Sequence, residues 1–281
     1  MGRVHNFSYL NVPGISLSSR KTIASFPGGK SGKKHLPLYN VVPQKIDRLI
    51  EPFAGLANFF FTISPQVNFA WLNDKDPHVF SLLKSIKEPS YLKELITSIN
   101  AINPVEKEDY YCWKQKKSTN IIEQAVKLLV ILNCSPNGAG GGYSYQKAHR
   151  KWYQNKPKVW YQLSEKLQKV RITNWDYKEV LNEILENQFE NDFIYLDPPY
   201  FKVAERGNLY PKFNSIYWDE LKNLIKPIRC HWLMSNRDCL ETREMFKNYF
   251  LFSYNTYNDM NNTKNGNPEL LVSNKPLYRK H

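Results

Sequence analysis

Residues 191–202 read NDFIYLDPPYFK, an apolar run that ends in an aspartate, two prolines and a tyrosine. The run is too short for a helix and rich in β-branched and aromatic side chains, so it predicts a buried parallel strand. Asp197 then stands at the carboxyl end of that strand, where open α/β sheets bind their ligands. Because Pro198 and Pro199 restrict the backbone, we expect Asp197, the Pro198 carbonyl and the Tyr200 ring to form a rigid unit. An ordinary Pro-Pro turn after a strand is the alternative interpretation.

The composition favours a globular protein with a polyanionic partner. The 281 residues, 42% of them hydrophobic, suffice for one large domain or for a core domain with an insertion. Lys and Arg number 39 against 26 Asp and Glu, a net charge of +13, which suits nucleic acid; a basic solvated surface is the alternative. The 14% aromatic content, with seven Trp and 18 Tyr, favours base stacking.

The cysteines and the hydropathy pattern indicate a cytoplasmic protein without a metal. Cys112, Cys134, Cys230 and Cys239 form no CxxC pair and no metal-ligand spacing, so we interpret them as reduced thiols. The N-terminal residues lack the apolar core of a signal peptide, and no segment reaches the length of a membrane span.

Two further strands predict a nucleotide-binding βαβ unit. Residues 48–53 read as a strand, 54–57 as a tight turn, 58–61 as the start of a helix, and 67–72 as a second strand that runs into Asn73-Asp74. Asp74 follows the glycine turn by about 20 residues, the spacing at which a carboxylate binds ribose hydroxyls. Plain strand–helix packing would give the same pattern.

A helical insertion interrupts the α/β pattern. We assign residues 20–75 and 165–281 to a catalytic domain and residues 76–164 to a helical, target-recognising insertion, whose apolar stripes have helical spacing. After it, the expected elements are strand 170–173, a helix to about 186, strand 193–196, helix 217–226, strand 230–235, helix 239–246, and strands near 249–256 and 269–273.

A loop at 133–145, followed by a basic segment, interleaves cations with aromatic rings. Phosphates require positive charge and unstacked bases require aromatic faces, so a nucleic-acid contact competes with a disordered linker as its interpretation. Asn137 could simply supply the turn before Gly138. The candidate DNA-binding residues are Ser135, Asn137, Tyr143, Tyr145, Lys147, Arg150 and Lys151.

Six motifs in this order resemble the Dam-like, alpha-group DNA adenine-N6 methyltransferases: FPGGK at 26–30, EPFAG at 51–55, ND at 73–74, LNCSPNG at 132–138, NWDY at 174–177 and LDPPY at 196–200. The resemblance extends nearly end to end. It implies a Rossmann-like α/β sheet with a helical target-recognition insertion, S-adenosylmethionine as cofactor, and double-stranded DNA as substrate. Phe26 stands where relatives often have tryptophan, and Ala57 where they often have a second glycine.

The resemblance also implies roles for individual residues. Asp74 would bind the ribose of S-adenosylmethionine, Asp176 would accept from its adenine amino group, and Asp197 would lie between cofactor and substrate. Asp176 is also expected to cap the helix that it precedes. The implied cofactor-binding residues are Phe26, Gly29, Lys30, Phe53, Gly55, Asp74, Asp176, Tyr177 and Asp197.

The implied chemistry explains the LDPPY motif. The amine of adenine is a poor nucleophile because its lone pair is delocalised into the ring. Asp197 and the Pro198 carbonyl can each accept one hydrogen of that amine and direct the lone pair toward the methyl group, without a metal. The base must first leave the duplex, and Tyr200 offers a face for it to stack on. The candidate catalytic residues are Asp197, Pro198, Pro199 and Tyr200.

Other functions stay open at this point. An RNA adenine-N6 methyltransferase would share the pocket, and DNA cytosine-N4 methylation uses similar chemistry, although the leading Asp197 favours adenine by analogy. A DNA-binding module without catalysis is a third alternative. We expect an enzyme that acts as a monomer, and if it serves a restriction-modification system, a cognate restriction endonuclease would be its partner.

Overall fold

A seven-stranded sheet forms the centre of the computed structural model, which describes residues 21–31, 33–200, 215–256 and 267–277. The strand order is β3-β2-β1-β4-β5-β7-β6; β1 to β5 pair in parallel, and β7 is antiparallel to both β5 and β6. The strands are β1 (Ile46–Glu51), β2 (Val67–Asn73), β3 (Val170–Thr173), β4 (Asp192–Leu196), β5 (His231–Arg237), β6 (Phe250–Thr256) and β7 (Asn267–Ser273).

Helices occupy most of the remaining described chain. Several begin where the sequence offers a cap: the Asp76 side chain accepts from the His78 amide at the start of α3, and the Asn120 side chain accepts from the Glu123 amide at the start of α6. The helices are α1 (Leu36–Asn40), α2 (Asn58–Ile63), α3 (Pro77–Lys87), α4 (Pro89–Ile102), α5 (Lys107–Gln115), α6 (Ile121–Cys134), α7 (Tyr145–Ala148), α8 (Lys156–Leu167), α9 (Tyr177–Glu186), α10 (Ser215–Ile225) and α11 (Leu240–Met245).

Both faces of the sheet are covered, which explains the apolar runs in its strands. Leu49 and Phe193 belong to one core cluster, which also contains buried residues of α2 to α8. Ile50 and Ile194 belong to a second cluster, which contains buried residues of α9 and α10. Because successive strand residues point to opposite faces, every residue of β4 is buried. The predicted buried parallel strand is confirmed.

The predicted α/β class is confirmed, with small shifts of element ends. The first strand covers Ile46–Glu51 rather than 48–53, so Pro52 and Phe53 lie in the turn that follows it. The helix α1 was not expected from the pattern. Helices of the 76–164 segment share a continuous core with one face of the sheet, and the division into two domains stays a prediction. Among the described residues, no helix combines the length and apolarity needed to cross a membrane.

Candidate active site

The carboxyl ends of the parallel strands bring the predicted motifs to one edge of the sheet. Glu51 ends β1, Asn73 ends β2, and Asp197 follows β4 directly. Ser235 lies on β5, which neighbours β4. Residues that are more than a hundred positions apart therefore surround one crevice, as expected for an open α/β sheet.

Asp197 is held from two sides. Lys30 Nζ lies 2.9 Å from both carboxylate oxygens, and the Ser235 hydroxyl donates to Oδ1 at 2.7 Å. The Tyr195 hydroxyl lies 2.9 Å from Ser235 Oγ and continues the network into the core. A carboxylate offers about four acceptor positions, and among the described residues these three bonds leave one of them, on Oδ2. Asp197 is thus fixed in orientation and still has an acceptor position to offer.

Lys30 reaches Asp197 from the FPGGK loop and is itself buried. Its side chain is 3% exposed, and Nζ also donates to the Gly28 carbonyl at 3.1 Å. The Tyr39 hydroxyl donates to the Lys30 carbonyl and fixes the backbone at this point. A buried ammonium group is tolerated only with such partners, so the loop and the LDPPY motif depend on each other.

Glu51 adds a buried carboxyl group that the sequence argument did not assign. It is 1% exposed, and within the described ranges its Oε1 has no hydrogen-bond partner. Burial, and then the charge of Asp197, raise the pKa of Glu51 well above its usual value, whereas the Phe60 amide lowers it. The signal was present in EPFAG, where an acidic residue ends an apolar strand.

The glycine turn after β1 receives the carboxylate of Asp74. Oδ2 accepts from the Gly55 amide and Oδ1 from the Asp76 amide, each at 2.9 Å. Burial nevertheless raises the pKa of Asp74 to about 6. Gly55 has φ of +50°, and a Cβ there would lie 3.0 Å from the Phe26 ring. Both the conformation and the close approach therefore require glycine.

Asn73 joins the loops that follow three neighbouring strands. Its side chain is fully buried, and Nδ2 donates at 3.0 Å to the carbonyls of both Pro52 and Trp175. Its Oδ1 accepts from the Thr173 hydroxyl at 2.7 Å and from the Trp175 amide at 2.9 Å. One amide side chain thereby sets the spacing between the EPFAG turn and the NWDY loop.

The NWDY residues lie beside that turn. Asp176 caps α9 as expected, accepting from the Lys178 amide at 3.1 Å, and its Oδ2 lies 2.7 Å from Lys75 Nζ. The Phe53 and Tyr177 rings have centroids 5.0 Å apart. The structure therefore brings the NWDY residues close to Phe53 of the EPFAG turn and to Lys75 after β2.

Close glycine packing and buried acceptors without a partner among the described residues occur near these loops. A Cβ on Gly29 would lie 2.5 Å from Asn58 Nδ2, so the FPGGK loop lies directly on the start of α2. Among the described residues, the buried Oδ1 of Asn58 has no hydrogen-bond partner, as is true of Glu51 Oε1. Unpaired buried acceptors are costly, and a ligand with donor groups would satisfy them.

Tyr200 closes the LDPPY motif next to the lysine. Lys30 Nζ lies 4.8 Å from the centroid of the Tyr200 ring. The Tyr200 hydroxyl donates to Oε2 of Glu269 at 2.7 Å. Glu269 belongs to β7, and the sequence argument did not single it out.

The candidate DNA-binding residues divide into two groups by exposure. Ser135 is fully buried, and its hydroxyl donates to the Ile131 carbonyl at 2.6 Å; the Tyr143 hydroxyl donates to the Val105 carbonyl at 2.9 Å. Tyr145 is 64% exposed, and its ring stacks on His149. The backbone of Asn137 is left-handed, with φ of 54°. Lys147 is partly buried, whereas Arg150 and Lys151 are exposed.

Known proteins resemble this chain in sequence and, weakly, in structure. The chain is 25% identical over 202 residues to the Type II methyltransferase M1.LlaDCHI of Lactococcus lactis subsp. cremoris, covering 66% of this chain and 67% of that protein. Among solved structures, the precorrin 8w decarboxylase of Methanobacterium thermoautotrophicum aligns with a TM-score of 0.41 and 10% identity over 87% of this chain and 91% of that one. The rRNA methyltransferase aviRa of Streptomyces viridochromogenes aligns with a TM-score of 0.39 and 13% identity over 92% of this chain and 90% of that one. These two TM-scores are too low to add to the argument.

The family comparison is the decisive one. A model of the D12 class N6 adenine-specific DNA methyltransferases matches residues 26–263, from the FPGGK loop to beyond β6. All six motifs lie inside that range, including the LDPPY motif. The chain belongs to the D12 class of N6 adenine-specific DNA methyltransferases.

Proposed function

We propose that this DNA adenine-N6 methyltransferase acts on a flipped adenine at Asp197. The observation that carries the proposal is the fixed carboxylate at the carboxyl end of β4, which keeps one acceptor position within the part of the chain that the structure describes. A catalytic acceptor must be preorganised before the substrate arrives, and Lys30 and Ser235 provide that orientation.

The cofactor, S-adenosylmethionine, supplies a methyl group activated by its sulfonium charge. The proposed contacts to its methionine part come from Phe26, Gly29, Lys30, Phe53 and Gly55. The buried Oε1 of Glu51, which has no partner among the described residues, suits its ammonium group, and we add this residue to the site. The proposed contacts to its ribose and adenine come from Asp74, Asp176 and Tyr177.

Three residues of the LDPPY motif act on the adenine. The free position on Asp197 Oδ2 accepts one amine hydrogen, and the Pro198 carbonyl accepts the other, so the nitrogen lone pair is drawn out of the ring. Pro199 keeps the two acceptors at a fixed separation. The proton can leave the amine after transfer, so Asp197 acts as an acceptor that orients the substrate and need not be a strong base.

The Tyr200 ring is the proposed stacking face for the flipped base. It is partly buried and lies beside Lys30, whose Nζ is 4.8 Å from the ring centroid. Base–aromatic stacking is worth about 1–3 kcal/mol, enough to offset much of the cost of taking a base out of the duplex.

For DNA contact we propose the exposed group on the 76–164 insertion. Tyr145, Arg150 and Lys151, with Lys147 beside them, combine an aromatic face with positive charge. Ser135 and Tyr143 bond within the protein and support the loop, and Asn137 lies at its left-handed turn.

The biological setting is also a proposal. The relative from Lactococcus lactis is a Type II methyltransferase. By analogy we propose that this chain modifies DNA for a restriction-modification system with a cognate endonuclease as partner. We further propose that it acts as a monomer in the cytoplasm.

The first experiment offers the enzyme, with labelled S-adenosylmethionine, unmethylated genomic DNA, total RNA or no substrate. Asp197→Asn serves as the control for activity from a contaminant. We expect N6-methyladenine in one DNA sequence motif, identified by nucleoside analysis and single-molecule sequencing. Label that enters RNA alone, or N4-methylcytosine in DNA, would replace the proposal with the corresponding alternative.

A second experiment tests the DNA surface. Arg150→Ala and Lys151→Ala should each reduce the slope of log affinity against log salt by about 0.9, the value expected for one lost phosphate contact. Lys45→Ala is a matched control, because Lys45 is 81% exposed and lies before β1, at the opposite edge of the sheet. Equal salt slopes in all three variants would place the DNA elsewhere.

A further inference from the structure

Glu269 is a buried carboxylate at the reacting edge that the proposed methyl transfer does not use. It lies on β7, paired with Arg237 of β5 and Tyr254 of β6, and its side chain is 13% exposed. Its Oε2 accepts from the Tyr200 hydroxyl at 2.7 Å and from the Tyr254 hydroxyl at 3.4 Å, and lies 4.0 Å from Lys30 Nζ. Strand β7, the last strand in chain order, therefore contacts the LDPPY motif directly.

The bond from Tyr200 to Glu269 fixes the ring at the end far from the backbone. The backbone end is already restricted, because Tyr200 follows Pro198 and Pro199. The first side-chain torsion would otherwise let the ring swing away from this position. Because the hydroxyl is bonded to a strand residue in the middle of three paired strands, the sheet sets where the far end of the ring lies.

We propose that Glu269 is a positioning residue that sets the position of the Tyr200 ring on which the flipped adenine stacks. The inference rests on the proposed function, since only the capture of a flipped base requires that position. Stacking depends on offset and tilt, so a ring without its anchor offers a poorer face to the base. Functional side chains need such support from rigid elements to hold a productive geometry.

The test is a double-mutant cycle on the two ends of the bond. Tyr200→Phe keeps the ring and removes the hydroxyl, while Glu269→Ala removes the acceptor. The readout is the affinity for duplex DNA with 2-aminopurine at the methylated position, whose fluorescence rises when the base leaves the stack. We expect each single variant to weaken capture about tenfold, the scale of a hydrogen bond to a charged group. The double variant should be no weaker than either single one.

Three comparisons separate positioning from a general structural role. Glu269→Gln retains an acceptor oxygen and should recover most of the capture. The affinity for S-adenosylmethionine should stay within about twofold in every variant, so that the loss is confined to the base. Glu244→Ala, at a glutamate that is 71% exposed on α11, should change neither quantity. Additive effects of the two single variants, or full capture in Glu269→Ala, would overturn the proposal.

The contact is also measurable without any nucleic acid. With 3-fluorotyrosine at position 200, the fluorine resonance of the free enzyme should be a single narrow line. It should shift and broaden in Glu269→Ala and recover in Glu269→Gln. An unchanged line in Glu269→Ala would refute the anchor. If the enzyme instead methylates no DNA while the line responds as expected, the proposed function fails and the anchor stands.

Discussion

Replacing Asn73 with alanine should both destabilise the protein and loosen its cofactor site. The fully buried side chain makes four hydrogen bonds, two donated and two accepted, to Pro52, Thr173 and Trp175. At about 1 kcal/mol net for each bond, Asn73→Ala should lower the free energy of unfolding by about 4 kcal/mol. That is a large share of the roughly 5–15 kcal/mol that keeps a domain folded.

Urea unfolding followed by circular dichroism measures this difference, provided that the slope with denaturant is unchanged. Asn68→Ala is the matched control, because the Asn68 amide donates to Asp47 at 3.0 Å on the exposed surface. The control should change stability by no more than about 0.5 kcal/mol. Asn73→Ala also removes the hydrogen bonds that connect the EPFAG turn with the NWDY loop, so affinity for S-adenosylmethionine should fall as well. A loss of stability below about 1 kcal/mol would refute the assignment of Asn73 as the link between the loops.

The remaining predictions concern the reacting edge. Asp197→Asn should lower kcat about 10²–10³-fold in single-turnover methyl transfer. A smaller loss would show that Asp197 is not the acceptor for the adenine amine. Asp197→Ala should cost about 3–5 kcal/mol in urea unfolding, because the 3% exposed Lys30 loses its carboxylate. Gly55→Ala should weaken S-adenosylmethionine binding about tenfold by calorimetry, because φ is +50° and the Phe26 ring lies 3.0 Å from the new Cβ; Gly141→Ala, which has open space, is the control. Burial raises the pKa of Asp74 to about 6, so protonation would remove the proposed ribose acceptor, and the Kd for S-adenosylmethionine should rise as pH falls from about 7 to 5. The same pH dependence in Asp74→Asn would contradict this role.

The strands were predictable because their signals are local. Each predicted strand was recognised from a short stretch of apolar and β-branched residues. The strands predicted at 170–173 and 193–196 lie at Val170–Thr173 and Asp192–Leu196 in the structure. The main difference at β1 has a physical cause: Pro52 and Phe53 continue the apolar run in sequence, but the chain must turn there for Ala54 to donate its amide to the Asn73 carbonyl at 2.8 Å. An apolar pattern does not show where a turn begins.

The site was predictable only in part, because its partners are distant in sequence. The motifs located Asp197 and Lys30, but their contact spans 167 positions and no local pattern reveals it. Ser235 and Glu269 lie on ordinary strands, and only the pairing of β4, β5 and β7 brings them to Asp197 and Tyr200. Ser135 was predicted to contact DNA because it lies in a polar loop. In the structure its side chain points inward, and its hydroxyl donates to the Ile131 carbonyl near the end of α6.

The position of β7 between β5 and β6 has a consequence for biosynthesis. Lys30 and Glu269, which are far apart in sequence, lie 4.0 Å apart across the same crevice. A nascent or truncated chain that stops before β7 lacks the strand that pairs with both of its neighbours and the acceptor for Tyr200. The ribosome therefore has to complete β7 before the described site can form, however early the FPGGK loop and the LDPPY motif are made.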